Sequence, residues 1–142
     1  MRSSKVEIEL TYGPVSKLVT FSNTAAGSPA MFTLTGDVWV RIIAVTKTDL
    51  TSAAAANVEL GIAGTTDAIL PTTVATALDA EEQWVDNSPD SEIEAAGDAF
   101  LDYVITGGND ILLTLDAQVD TGAIQFYAFW RPLSDGSSVV AA

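Results

Sequence analysis

The sequence predicts an all-β fold, an antiparallel β-sandwich or jelly roll with one long acidic loop excursion. Apolar and polar residues alternate with period two along most of the chain. Gly, Pro, Asn and Asp break that pattern at short intervals, as turns between short strands do. No strand–helix–strand rhythm appears, which excludes a parallel α/β sheet. The 142 residues fit one domain over 1–142, with flexible ends expected at about 1–4 and 134–142. A domain of this size buries roughly 68–70% of its unfolded surface and needs no covalent staples.

The elements follow in order. "KVEIELTY" (Lys5 to Tyr12) places Val6, Ile8, Leu10 and Tyr12 on one face and Lys5, Glu7, Glu9 and Thr11 on the other, a half-buried strand. Gly13-Pro14 predicts a turn and "KLVTF" (Lys17 to Phe21) a second strand. "AMFTLT" (Ala30 to Thr35) and "VWVRIIAV" (Val38 to Val45) flank Gly36-Asp37, which predicts a two-residue hairpin of type II′ with glycine at positive φ. The run Ala53 to Ala56 is too short to be more than a helical turn, and "NVELGIA" (Asn57 to Ala63) is a strand. Residues 64–99 have weak periodicity and read as the excursion, with a short helix expected at Thr73 to Asp79 and a short strand near Gln83 to Asp86. "FLDYVIT" and "ILLTLD" are expected to form a hairpin over Phe100 to Asp116, turned by Gly107-Gly108-Asn109. "VDTG" is then a turn into "AIQFYAFWRP".

Composition narrows function. Cysteine and histidine are both absent, so there is no disulfide framework, thiol nucleophile or imidazole base, and no thiolate or imidazole metal ligand. We expect no enzyme and no cofactor. The formal net charge is −13; residues 48–130 hold fifteen of the nineteen acids and neither Lys nor Arg. Such a field disfavours nucleic acid and anionic membranes as partners. No apolar stretch reaches the roughly 18–20 residues of a membrane span. The N-terminal residues lack the apolar core of a secretory signal, so the protein is expected to stay in the cytoplasm where it is made until lysis releases it.

The acids Asp79, Glu81, Glu82, Asp86, Asp90, Glu92 and Glu94 crowd the excursion, but their spacing matches no calcium loop. They are expected to be solvated and to bind no metal. "TGGND" and "GTTD" lack the following helix of a phosphate cradle. The richest stretch is "GAIQFYAFWRPLSDG" (Gly122 to Gly136). Alternation puts Ile124, Phe126, Ala128 and Trp130 on one face, expected to be core, and Gln125, Tyr127, Phe129 and Arg131 on the other. Trp39 and Arg41 repeat that chemistry on another strand. Either the strand is covered on both sides by its own domain, or Trp39, Arg41, Tyr127, Phe129 and Arg131 meet a partner. Aromatic residues and Arg are what interfaces favour. A strand aromatic on both faces would leave an apolar patch in water, so a homo-oligomer is expected. Exposed Trp39, Trp84 or Trp130 would alternatively suit a carbohydrate-binding β-sandwich module, and Asp/Glu pairs a small hydrolase.

Residues 57–142 resemble small proteins encoded beside the major capsid protein of tailed bacteriophages. The matching elements are Gly108-Asn109-Asp110, Thr121-Gly122, the aromatic strand Phe126 to Trp130, and Pro132-Leu133-Ser134. The stretch from Val58 to Glu94, with its Gly-x-Ala-Gly-x-Thr-Asp and Asp-Ala-x-Glu-x-Trp elements, matches as well. The resemblance implies a virion structural protein: a decoration or cement protein on the capsid exterior, bound to the major capsid protein and often trimeric. A neck, tail or head-fibre component is the alternative within the virion.

Overall fold

A computed structural model describes residues 12–88, 93–95 and 99–142. Among these residues nine strands follow one another: β1 Tyr12–Thr24, β2 Ala30–Thr35, β3 Val38–Thr51, β4 Asn57–Ile62, β5 Thr65–Val74, β6 Asp102–Ile105, β7 Ile111–Leu115, β8 Val119–Pro132 and β9 Ser138–Ala141. They form a four-stranded sheet, β1-β8-β3-β6, and a five-stranded sheet, β5-β4-β7-β2-β9. The antiparallel pairs β1·β8, β2·β7, β3·β6 and β4·β5 are all present. Pairing first with eighth, second with seventh and so on is a long hairpin rolled onto itself, the jelly roll. β9 adds a ninth strand beside β2.

The core fills the space between the sheets, as alternation requires. β3 alternates strictly from Val38 to Thr46, with Val38, Val40, Ile42, Ala44 and Thr46 buried. Ile124, Phe126 and Ala128 of β8 meet Phe32, Leu60, Ile111 and Leu113 of the facing sheet in one cluster. Trp130, on the same inward face of β8, is partly buried against that cluster.

Several expected connections are corrected. Gly13-Pro14 is no turn; it lies inside β1 at a register shift between Tyr12 and Val15, and β1 is an edge strand, where proline removes no needed donor. Of the strand expected over Lys5 to Tyr12, Tyr12 is described and opens β1, whereas residues 5–11 and the flexible end at 1–4 fall outside the described residues. Gly36 does take positive φ (68°), but Gly36-Asp37 joins no hairpin: β2 and β3 belong to different sheets. The same holds for Gly107-Gly108-Asn109. Both glycines have positive φ, yet β6 pairs with β3 and β7 with β2 and β4. "VDTG" lies inside β8, and the chain turns earlier, at Asp116–Gln118.

The excursion begins as a strand. β5 returns along β4 through a turn at Ala63-Gly64, and a 3-10 turn at Ala75–Ala77 replaces the expected helix. Residues 78–84 then follow the edge of β3: Leu50 N donates to Leu78 O (3.0 Å), Thr46 N to Glu82 O (2.9 Å) and Trp84 N to Ala44 O (3.0 Å). Of the strand expected at Gln83 to Asp86, a single bridge from Gln83 to Val45 forms. The C-terminal residues expected to be flexible form β9 instead, because Val139 (2% exposed) plugs the core beside Leu34.

The two sheets are clipped together at both lateral edges. The Lys17 ammonium of β1 donates to Ala142 O (2.5 Å), just past β9. On the opposite side the Tyr103 hydroxyl of β6 donates to Ile69 O of β5 (3.1 Å). Burial pushes the Tyr103 phenol above its ordinary pKa.

Candidate functional site: the outward face of the four-stranded sheet

Directly opposed residues of antiparallel strands share a face, so the register builds this surface row by row. Trp39 is flanked by Val104 and Arg131; Arg41 by Asp102 and Phe129. Tyr127 lies between Ile43 and Ser16, and Gln125 between Val45 and Leu18. All five residues singled out in the sequence, Trp39, Arg41, Tyr127, Phe129 and Arg131, therefore lie together on one face. Phe126 is buried on the other. Sequence reasoning missed Val104, Asp102, Ile43 and Leu18, because which strands pair with β3 and β8 is not a local property.

The chemistry of the face is apolar with two cations. Arg41 Nε donates to Asp102 Oδ1 at 2.7 Å, an exposed ion pair that contributes about 0–1 kcal/mol. The Arg131 guanidinium carbon lies 4.7 Å from the centre of the Trp39 ring, a cation–π contact of about 0.5–1 kcal/mol when exposed. Trp39, Arg41, Ile43 and Phe129 line a shallow hollow. Val104 (63% exposed) and Leu18 (53%) flank it on the two edge strands. The ion pair and the stack pre-order both arginine side chains, so less rotamer freedom is left to lose on contact with a partner.

The outward face of the five-stranded sheet is different. Glu59 accepts hydroxyl hydrogen bonds from Thr66 and Thr72, and the Ser28 and Thr114 hydroxyls are 2.8 Å apart. Thr33 and Thr35 are exposed. One broad surface is hydroxyl-rich and internally satisfied; the other carries aromatic rings and guanidinium groups.

The remaining candidates find structural roles. Trp84 is 1% exposed; its Nε1 donates to Thr73 Oγ1 (2.9 Å) and its ring tilts against Phe126. It offers no platform to a sugar. Trp130 faces inward, and the Trp39 ring carries Arg131. Among the described residues no three carboxylates converge as metal ligands, and Asp90 and Glu92 lie outside them. Among those residues, too, no helix is long and apolar enough to cross a membrane. Gly108-Asn109-Asp110 and Pro132-Leu133-Ser134 meet at one end of the sandwich, around Gly36-Asp37. Leu34 N donates to Asp110 Oδ1 (3.0 Å), Gly107 N to Asp37 Oδ1 (2.9 Å) and Asp37 N to Ser134 Oγ (3.0 Å). These motif residues hold the sheet crossings in place. At the other end Asp116 and Asp120 clamp loops. Asp116 is held below the usual carboxylate range by the Asn57 backbone N–H and then its side-chain amide, Asp120 by Gln118 and then by the Ala53 N–H.

No family model matches the chain, and no curated protein matches it by sequence. Two solved structures are similar. A chain of the acidic stable capsid structure of Helicobacter pylori bacteriophage KHP30 superposes with a TM-score of 0.53 and 13% identity, over 94% of each chain. A chain of the cyanophage Pam1 capsid asymmetric unit gives a TM-score of 0.46 and 14% identity over 85% of this chain and 84% of that one. At 13% identity the likeness to the KHP30 capsid chain establishes a shared fold, a jelly-roll sandwich matched along nearly the whole of both chains.

Proposed function

We propose that the chain is a non-enzymatic structural protein of a bacteriophage head, a decoration or cement protein that binds the capsid exterior and stabilises it. The observation that carries this is the outward face of the four-stranded sheet: half-exposed Trp39, Tyr127 and Phe129 lie together beside Arg41 and Arg131, on a chain otherwise strongly acidic. Monomeric proteins rarely leave such a patch uncovered. The face is the contact surface with neighbouring copies or with the major capsid protein. The fold shared with a chain of the KHP30 capsid structure supports the proposal, as do the motifs of residues 57–142. The acidic remainder keeps the particle's exterior from adhering to other polyanions.

Particles assembled with and without the chain provide the test. Heated with a dye that reports released DNA, particles lacking the chain should open at lower temperature, and the purified chain should restore them. Density for the chain should cover the outside of the head. Density confined to the neck, tail or a fibre, or purified chain that ignores bare heads, would overturn the proposal.

A further inference from the structure

Among the described residues β1 is the longest sheet edge. It spans thirteen residues and borders the four-stranded sheet, pairing with β8 on one side alone. From Val15 to Ser22 its register runs without a shift, and Lys17 is the one charged residue within β1. The open ladder of such an edge is a template for another strand. The other edges are blunted: β6 and β9 have four residues each, and β5 carries Pro71, Asp67 and an interrupted register. The side chains of β1 divide by face. Val15 and Val19 pack on the core but are only partly buried, whereas Ser16, Leu18, Thr20 and Ser22 are exposed on the outer side. Lys17 keeps its charge on the core side, opposite Phe126, where its ammonium donates to Ala142 O.

The segment that precedes β1 carries the matching pattern. Residues 5–11 (KVEIELT) alternate Val6, Ile8 and Leu10 with Lys5, Glu7, Glu9 and Thr11. Continued straight, β1 would carry them past their own sheet: Tyr12 already stands opposite Trp130, and β8 ends two residues later at Pro132. None of the first eleven residues is Gly or Pro, the residues that reverse a chain most readily. We propose that residues 5–11 of one copy add as an antiparallel strand to the open edge of β1 in a second copy, alongside its residues 16–22, and that the exchange is reciprocal. The register selects the sides. Tyr12 pairs with Trp130 and Val15 with Ala128, both inward-facing, so even-numbered positions before the shift continue the odd-numbered core side after it. Ile8 then lies opposite Val19 and Val6 opposite Phe21 of the second copy, extending its core over the partly buried edge. Lys5, Glu7, Glu9 and Thr11 join the outer side with Ser16, Thr20 and Ser22. Because each added strand is the straight continuation of a β1, a copy that receives one lays its own along the donor. The contact is isologous and closes as a pair. The two four-stranded sheets become one, with both aromatic faces on the same side.

Sedimentation of the full-length chain, with no particle present, should show a dimer. Ile8→Asp buries an unpaired charge on the core side of the added strand and should weaken the dimer by at least roughly tenfold, while circular dichroism still reports a folded sandwich. Glu7→Gln, on the outer side, should dimerise like the wild type. Cross-linking tests the pairing itself, since the chain has no cysteine of its own. Directly opposed residues of antiparallel strands lie within disulfide reach. A chain with Glu7→Cys, oxidised together with a chain with Thr20→Cys, should therefore give a mixed disulfide dimer. The same chain with a Val19→Cys partner, whose side chain points to the other side, should not. A monomeric wild type, an Ile8→Asp chain as dimeric as the wild type, or a Glu7→Cys and Thr20→Cys mixture that forms no mixed disulfide would each overturn the exchange.

Discussion

Removing Trp84 decides whether it is a core residue or a ligand platform. The side chain is 1% exposed, leans on Phe126 with ring centres 6.4 Å apart, and donates from Nε1 to Thr73 Oγ1. It is the peg by which the segment after β5 is fixed over the core. Trp84→Ala should destabilise the fold by roughly 3–5 kcal/mol, the cost of a large buried aromatic side chain, of which the lost hydrogen bond is about 1 kcal/mol. Against a total stability of about 5–15 kcal/mol that is a large fraction. At roughly 2–4 °C per kcal/mol for a chain near this size, melting should fall by roughly 6–20 °C. Trp84→Phe retains the ring packing, loses the donor and should fall between. Thermal unfolding followed by circular dichroism, wild type and variants in one buffer, measures the effect. A Trp84→Ala protein melting within about 2 °C of the wild type would refute the burial argument.

Neighbouring residues on β8 should separate by face. Trp130→Ala should lower stability by roughly 2–4 kcal/mol because the ring is only partly buried, whereas Arg131→Ala, which loses the stack on Trp39, should cost no more than about 1 kcal/mol and weaken association instead; thermal melts paired with sedimentation give both numbers, and the reverse outcome inverts the face assignment. Gly36→Ala should destabilise markedly, since its φ is 68° and a Cβ there would lie 2.8 Å from Ser134 Oγ and 3.0 Å from Ser137 Cβ; denaturant titration reads the loss. The depressed carboxyls of Asp116 and Asp120 contribute stability above the ordinary carboxylate pKa, and it is lost as pH falls through their lower folded values. Asp116→Asn should therefore weaken the protein at neutral pH and flatten the acid limb of its stability curve; an unchanged limb would count against the clamp.

Alternation made β2, β4 and the two faces of β8 legible, because side-chain direction follows from period two alone. Residues Tyr127, Phe129 and Arg131 could be placed together on that basis, and Trp39 with Arg41. Sheet membership was not legible. A Gly-Asp pair between two strand-like runs has the same local geometry whether it folds a hairpin or, as at Gly36-Asp37, passes the chain from one sheet to the other. The choice is made by pairings such as β1 with β8, which are set by the whole core. β5 was hidden for another reason: it is an edge strand with a proline and interrupted register, so its burial does not alternate. The Arg41–Asp102 pair joins residues 61 apart, and no local spacing announces it.

β8 lies between β1 and β3 in the four-stranded sheet, yet it follows both in the chain by about seventy residues or more. During synthesis β1 and β3 therefore emerge long before the strand that joins them. Until Val119–Pro132 has left the ribosome each waits with an open ladder, and the first sheet cannot close. Folding of this kind is slow to begin and exposed to strand pairing between chains. A translation product that stops short of β8 keeps the whole of β1 and β3 with the ladder edges that β8 would pair left open, the kind of edge that templates pairing between chains.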